Sequence, residues 1–263
     1  MSARQVTSLT NPTVKAVRAL HRRREREDTG LFLAEGLKLT TDALDLGHIP
    51  KILLYGPDAA GQPLLRRAAE ATAAAGGDVV EVSRAILEKV SRRDNPQTVV
   101  AVFGQVFTRL DELDPASAPC WVALESVRDP GNLGTIVRTA DAAGVGGVIL
   151  VGETCDPYSV EAVRATMGSV FATPLYRATT AGFVAWRTGW PGSVVGTLLS
   201  ADADYRAAQY KKPTLILMGP EQAGLSPDLA AICDLKVKIP MRGRADSLNL
   251  AVATGIMIYA VTA

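Results

Sequence analysis

The chain has 263 residues, 48% of them hydrophobic and 21% charged, with a formal net charge of +1. That supplies apolar material for one large or two modest packed domains and is too balanced for a disordered chain. No apolar run reaches the roughly 18–20 residues of a bilayer span, and no apolar stretch follows Arg4 to make a secretory leader, so a cytoplasmic protein is expected.

Taken in order, residues 12–26 read as a helix, with Asn11 as N-cap and Pro12 at the first helical position. Strands are expected at 31–34, 52–55, 79–82 and 98–103, with helices at 36–46, 63–75 and 84–90. The proline-containing stretch 109–119 has little apolar periodicity and reads as a joint. Beyond it, strands are expected at 120–125, 147–151, 193–199, 215–219 and 236–239. Helices are expected at 136–143, 159–166 and 249–261. The alternation indicates an α/β architecture, and the near-continuous apolar strands of the second part suit a parallel sheet covered on both faces. The division expected is 1–106, a linker at 107–119, and 120–263.

Charge is distributed unevenly: residues 1–106 carry +3 and residues 107–263 carry −2. Arg18, Arg22, Arg23, Arg24 and Arg26 form either a phosphate-facing stripe or a solvated helix end paired with Glu25, Glu27 and Asp28. Cys120, Cys155 and Cys233 are scattered, and His21 and His48 have no ligand-like neighbours. Neither a disulfide framework nor a metal site is expected.

Two glycine-rich segments fail as nucleotide loops. Gly144, Gly146 and Gly147 follow a helix and precede a strand, the reverse of a dinucleotide fingerprint. The run from Gly219 to Ser226 has the spacing of a phosphate-binding loop, but Leu225 stands where lysine is needed. Glu221 would also put a carboxylate against the phosphates.

Three other features carry chemistry. In ESVRDPGNLGTIVR (125–138) a strand runs through a Pro130-Gly131 turn into a helix. There Asn132 is either a cap or an amide aimed at a ligand, and Arg138 is either a surface cation or a site residue. In LILMGPEQAGL (215–225) a buried strand enters a loop with one acid, Glu221. In IPM (239–241) followed by SLNL (247–250), Ser247 or Asn249 caps a small-residue helix. Ala251, Ala253 and Gly255 in that helix permit close approach to another element.

In this order and spacing the three segments closely resemble the SpoU (TrmH-type) branch of the SPOUT RNA methyltransferases, over roughly residues 120–260. NPTVKAVRAL, LFLAEGLKL and RRDNPQTVVAVF resemble, less specifically, the small α/β RNA-binding domain that precedes it in many members. The resemblance implies a parallel sheet with a deep C-terminal trefoil knot, a homodimer with sites near the subunit interface, and S-adenosylmethionine as methyl donor. It implies an RNA ribose 2′-hydroxyl as acceptor, with 23S ribosomal RNA expected ahead of transfer RNA. A non-catalytic RNA-binding relative is the competing reading. Carried over by motif, Thr197, Leu198, Met218, Gly219, Glu221, Ile239, Met241 and Leu248 contact the cofactor. Asn132, Arg138, Glu221, Ser247 and Asn249 form the catalytic set, and no metal is implied.

Overall fold

The computed structural model describes residues 4–263. The chain opens with β1 (Arg4–Val6), α1 (Pro12–Ala19), α2 (Arg23–Thr29), β2 (Leu31–Glu35), α3 (Leu37–Asp45) and β3 (Ile52–Tyr55). It continues with α4 (Pro63–Ala74), β4 (Asp78–Val82), α5 (Arg84–Ser91), β5 (Val99–Gly104), β6 (Cys120–Glu125), α6 (Pro130–Ala142) and β7 (Val148–Val151). Then follow α7 (Val160–Thr166), β8 (Leu175–Ala178), α8 (Thr180–Arg187), β9 (Val194–Thr197) and β10 (Ala203–Asp204). The last elements are β11 (Thr214–Met218), α9 (Pro227–Ala231), β12 (Leu235–Lys238) and α10 (Leu250–Thr262). No helix among the described residues is long and apolar enough to cross a membrane.

Two compact units result. The first runs to Gln105 and takes in Tyr158–Phe171; the second comprises Val106–Pro157 and Ala172–Ala263. Residues 158–171 therefore pack with the first unit, although they lie far inside the stretch 120–263. Aromatic packing explains this. Phe32 lies 4.6 Å from Tyr158 and Phe103 lies 4.7 Å from Phe171, ring centre to ring centre, distances at which such rings attract. Arg164 adds an ion pair to Glu35 at 2.6 Å.

The first unit holds a five-stranded sheet in the order β1-β4-β3-β5-β2. β5 runs antiparallel to both β2 and β3, whereas β1, β4 and β3 are parallel. The single helix expected at 12–26 is two. Leu20 ends α1, the chain turns extended at Arg22, and buried Arg26 donates to the Leu20 carbonyl at 2.7 Å. The basic stripe is dissolved by the same geometry. Arg26 is only 4% exposed, while Arg22, Arg23 and Arg24 pair with Glu25, Glu27 and Asp28.

The second unit holds seven strands in the order β10-β12-β9-β11-β6-β7-β8, all parallel. β6, β7 and β11 are buried along their whole length, as expected for a sheet covered on both faces. Residues 107–119, expected as a linker, pack into this unit. Thr108 bridges Tyr176, and Leu113 is buried in the cluster with Trp121. Two leucines three residues apart, Leu110 and Leu113, provide apolar anchors inside an otherwise charged stretch. The sequence reading missed β8, α8 and the two short edge strands, β1 and β10. The last two are three and two residues long, too short to show a period.

α6 begins six residues earlier than expected. Its cap is Asp129, whose side chain accepts from the Asn132 backbone N–H at 2.6 Å, with Pro130 in the first turn. Asn132 is thus not the cap, and its amide is free for other partners. At the other end of the chain, Gly255 of α10 lies against α6. A Cβ there would stand 3.6 Å from the Thr139 side chain, an ordinary contact distance, so the two helices pack closely without glycine being required.

Candidate active site

In an open parallel sheet, ligands bind beyond the carboxyl ends of the strands. Here the segments leaving β9, β11 and β12 line a cavity of about 360 Å³, within the size range of small-molecule sites. Thr197 and Leu198 enter from β9, Met218, Gly219 and Glu221 from β11, Ile239 and Met241 from β12, and Leu248 from the approach to α10. All eight residues expected at the cofactor therefore lie on one cavity. Ser247 lines it as well.

The loop after β11 is folded tightly on itself. Gly224 N–H donates to the Pro220 carbonyl at 2.9 Å. A Cβ on Gly219 would stand 2.2 Å from the Gly224 carbonyl carbon, so only glycine allows this closure. Glu125, buried at the end of β6, accepts from the Ser226 N–H at 2.8 Å and fastens the far end of the loop. Sequence reading did not single out Glu125. The available signal was a charged residue closing an otherwise apolar strand.

Polar groups from three separate segments meet beside the cavity. Asn132 donates from Nδ2 to Oε1 of Glu221 at 2.5 Å. Its Oδ1 accepts from Nδ2 of Asn249 at 2.8 Å. Asn249 also caps α10, its Oδ1 accepting from the backbone of Ala251 and Val252. Asn249, not Ser247, is thus the cap, and it performs both roles at once. Ser247 is exposed and its hydroxyl lies 3.3 Å from an Asp246 carboxylate oxygen. Arg138 is not joined to this cluster. It is exposed on α6, six residues after Asn132 and so roughly 120° around the helix from it, and it makes no hydrogen bond or ion pair among the described residues.

The donor set fits S-adenosylmethionine. Thr197 Oγ1 is buried without a partner, and such an atom is costly unless a ligand or water satisfies it. Leu198, Ile239, Met241 and Leu248 offer apolar walls for a flat base. Glu221, which would repel a phosphate, suits a cationic sulfonium compound. Among the described residues, no group of three or more His, Cys, Asp or Glu is arranged to hold a metal ion.

A parallel α/β unit with a folded glycine loop and a converging Asn–Asn–Glu chain defines a small-molecule-binding enzyme domain. Residues 119–259 match the SpoU rRNA Methylase family, and residues 11–101 match the MRM3-like substrate binding domain. The chain is 32% identical to the 23S rRNA (guanosine(2553)-2′-O)-methyltransferase of Bacillus subtilis, over 97% of this chain and 98% of that protein. It is also 32% identical to the 23S rRNA (uridine(2479)-2′-O)-methyltransferase of Streptomyces viridochromogenes, over 98% and 91%. Among solved structures, the AdoMet-bound rRNA methyltransferase from Sinorhizobium meliloti superposes with a TM-score of 0.93 at 52% identity, covering 98% of this chain and 97% of that one. The chain belongs to the SpoU rRNA methylase family.

Proposed function

We propose that the protein transfers a methyl group from S-adenosylmethionine to a ribose 2′-hydroxyl of 23S ribosomal RNA. The observation that carries this reading is the hydrogen-bonded chain Asn249–Asn132–Glu221, whose last member also lines the cofactor-sized cavity. When bound, S-adenosylmethionine supplies a methyl group already activated by its sulfonium charge. The protein's own task is to hold the hydroxyl in line and to let its proton pass to solvent water as the new O–C bond forms. Glu221, held by Asn132, fixes the loop at the cavity, and Asn249 fixes Asn132. Ser247 lies on the same cavity, and its hydroxyl, now on Asp246, can turn to position the acceptor. Arg138 is not a proton acceptor, because a guanidinium stays protonated to above about pH 12. It stabilises the developing alkoxide and grips a neighbouring phosphate.

The working form is a cytoplasmic homodimer whose first unit binds the RNA and whose second unit carries a trefoil knot. α10 supports the dimer: it is apolar almost throughout, yet Val252 and Tyr259 are more than half exposed, a face that suits a second copy. The relatives' 23S targets favour ribosomal over transfer RNA. Mapping 2′-O-methyl positions in RNA from a strain lacking the gene tests the whole reading. Loss of one 23S rRNA site is expected, and an unchanged methylation map overturns it.

A further inference from the structure

The first unit has a cavity of its own, about 380 Å³ in volume, at the start of α3. Its walls mix two kinds of surface. Leu33, Val160, Val163 and Met167 make it apolar, and Glu35, Arg93, Arg164 and the Lys38–Asp42 ion pair bring charge. Three observations point to a ligand of defined chemistry.

The first is at Glu35. Its side chain is only 5% exposed and Oε1 is paired with Arg164, yet Oε2 is buried without a partner. The second is at Arg164. Its Nη2 serves Glu35 and the Ser91 carbonyl, at 2.6 and 2.9 Å, while Nε is buried without a partner. A paired acid and base have thus left one acceptor and one donor unsatisfied, each costly to bury. The third is the cap of α3. Gly36, at φ +109°, caps the helix without a side-chain hydrogen bond, leaving first-turn N–H groups open to an anion. Arg93, exposed and without an ion-pair partner among the described residues, stands on the same cavity.

An adjacent donor and acceptor are the complement of a nucleobase edge, on which N–H and carbonyl or ring nitrogen alternate. Apolar walls suit the faces of the base, and a cation beside a helix start suits its phosphate. Unpaired RNA bases are read in this way when splayed out of a stack. We propose that this cavity takes one unstacked base of the substrate RNA, with Glu35 and Arg164 reading its edge and Arg93 holding the adjoining phosphate. This inference rests on the RNA reading above and names where the first unit would grip that substrate.

The test uses the full chain and two fluorescein-labelled probes, each roughly 12 nucleotides long. One is a mixed-sequence single-stranded RNA; the other is the same backbone with abasic riboses throughout. Anisotropy should show the base-bearing strand binding about tenfold more tightly. Glu35→Gln preserves shape but can turn a donor toward the cavity where an acceptor is required, and it should abolish most of that preference. Arg93→Ala should weaken both probes alike and lower the salt slope by about one. Met167→Asp lies at an exposed position already left-handed (φ 52°), a conformation aspartate tolerates. It should repel both probes and keeps the test open if Glu35→Gln does not fold. Equal binding of the two probes by wild type overturns the proposal, as does a base preference that survives a folded Glu35→Gln, or Met167→Asp binding both probes as tightly as wild type. Calorimetric binding of S-adenosylmethionine and methyl transfer to total ribosomal RNA are measured in parallel. Methyl transfer without base preference sinks this cavity alone, and base preference without methyl transfer sinks the catalytic reading alone.

Discussion

Asn132 and Glu221 lie 89 positions apart in sequence and 2.5 Å apart through an amide-to-carboxylate hydrogen bond. The bond ties the first turn of α6 to the loop after β11. Asn132→Asp should break it by setting two carboxylates face to face. A fall in kcat of about tenfold to a hundredfold is expected, because small displacements of a positioned group have effects of that size. Glu221→Gln combined with Asn132→Asp exchanges donor and acceptor and should recover part of the loss. A double variant no better than the worse single variant in a tritiated-methyl assay rejects the positioning role.

Arg138 stands apart from that bond and has no partner among the described residues of its own chain. Arg138→Ala should lower turnover by about 10²–10³, the usual effect of losing one donor to a developing oxyanion. The calorimetric affinity for S-adenosylmethionine should be nearly unchanged. If the dimer brings Arg138 to its partner's site, mixing Arg138→Ala with Asn132→Ala should restore activity in hybrid dimers. A mixture as inactive as its components places Arg138 in its own chain's site instead.

Gly219 offers a test of the folded loop. With a Cβ position 2.2 Å from the Gly224 carbonyl carbon, Gly219→Ala must push backbone against backbone, which no rotamer change relieves. Loss of cofactor binding is expected while circular dichroism stays close to wild type. Unchanged affinity shows that the loop is held open when the cofactor enters.

His21 should give the first unit a pH dependence. Burial is the main cause holding its imidazole below the usual 6.5; Arg92 and Arg164 act the same way, while the hydrogen bond to Val90 and the Glu35 charge oppose them. With the folded value depressed, the unfolded chain binds the proton more readily. The contribution is present above about pH 6.5 and is lost as the pH falls toward the folded value. The melting temperature of wild type should therefore drop between pH 7 and pH 5 more than that of His21→Gln. Parallel curves for the two proteins remove His21 as the cause.

The strands of the sheet were legible because β6, β7 and β11 are buried on both faces and read as unbroken apolar runs. The loop after β11 was noticeable because glycine, Pro220 and Glu221 follow such a strand in one contiguous stretch, but only the family resemblance linked it to a cofactor. The cap of α6 was displaced because Asn132 and Asp129 both suit an N-terminus. Only the geometry shows that Asp129 holds the helix and frees the Asn132 amide. The pairing of Asn132 with both Glu221 and Asn249 was not readable, since nothing local records which distant loops a parallel sheet brings together. The same limit hid the destination of residues 158–171, whose aromatic partners lie more than 60 positions away in the chain.

That last segment bears on how the protein is made. Phe32 and Phe103 pack against Tyr158 and Phe171, so the amino-terminal unit lacks part of its aromatic packing when only its 105 leading residues have left the ribosome. That packing is completed only once the chain has been synthesised past residue 171, in contrast to the usual order in which an amino-terminal domain matures first. A gene fragment ending between the two apparent halves would encode an incomplete body. An exchange of RNA-binding units between relatives would need two separate stretches of coding sequence, the second embedded in what looks like catalytic territory.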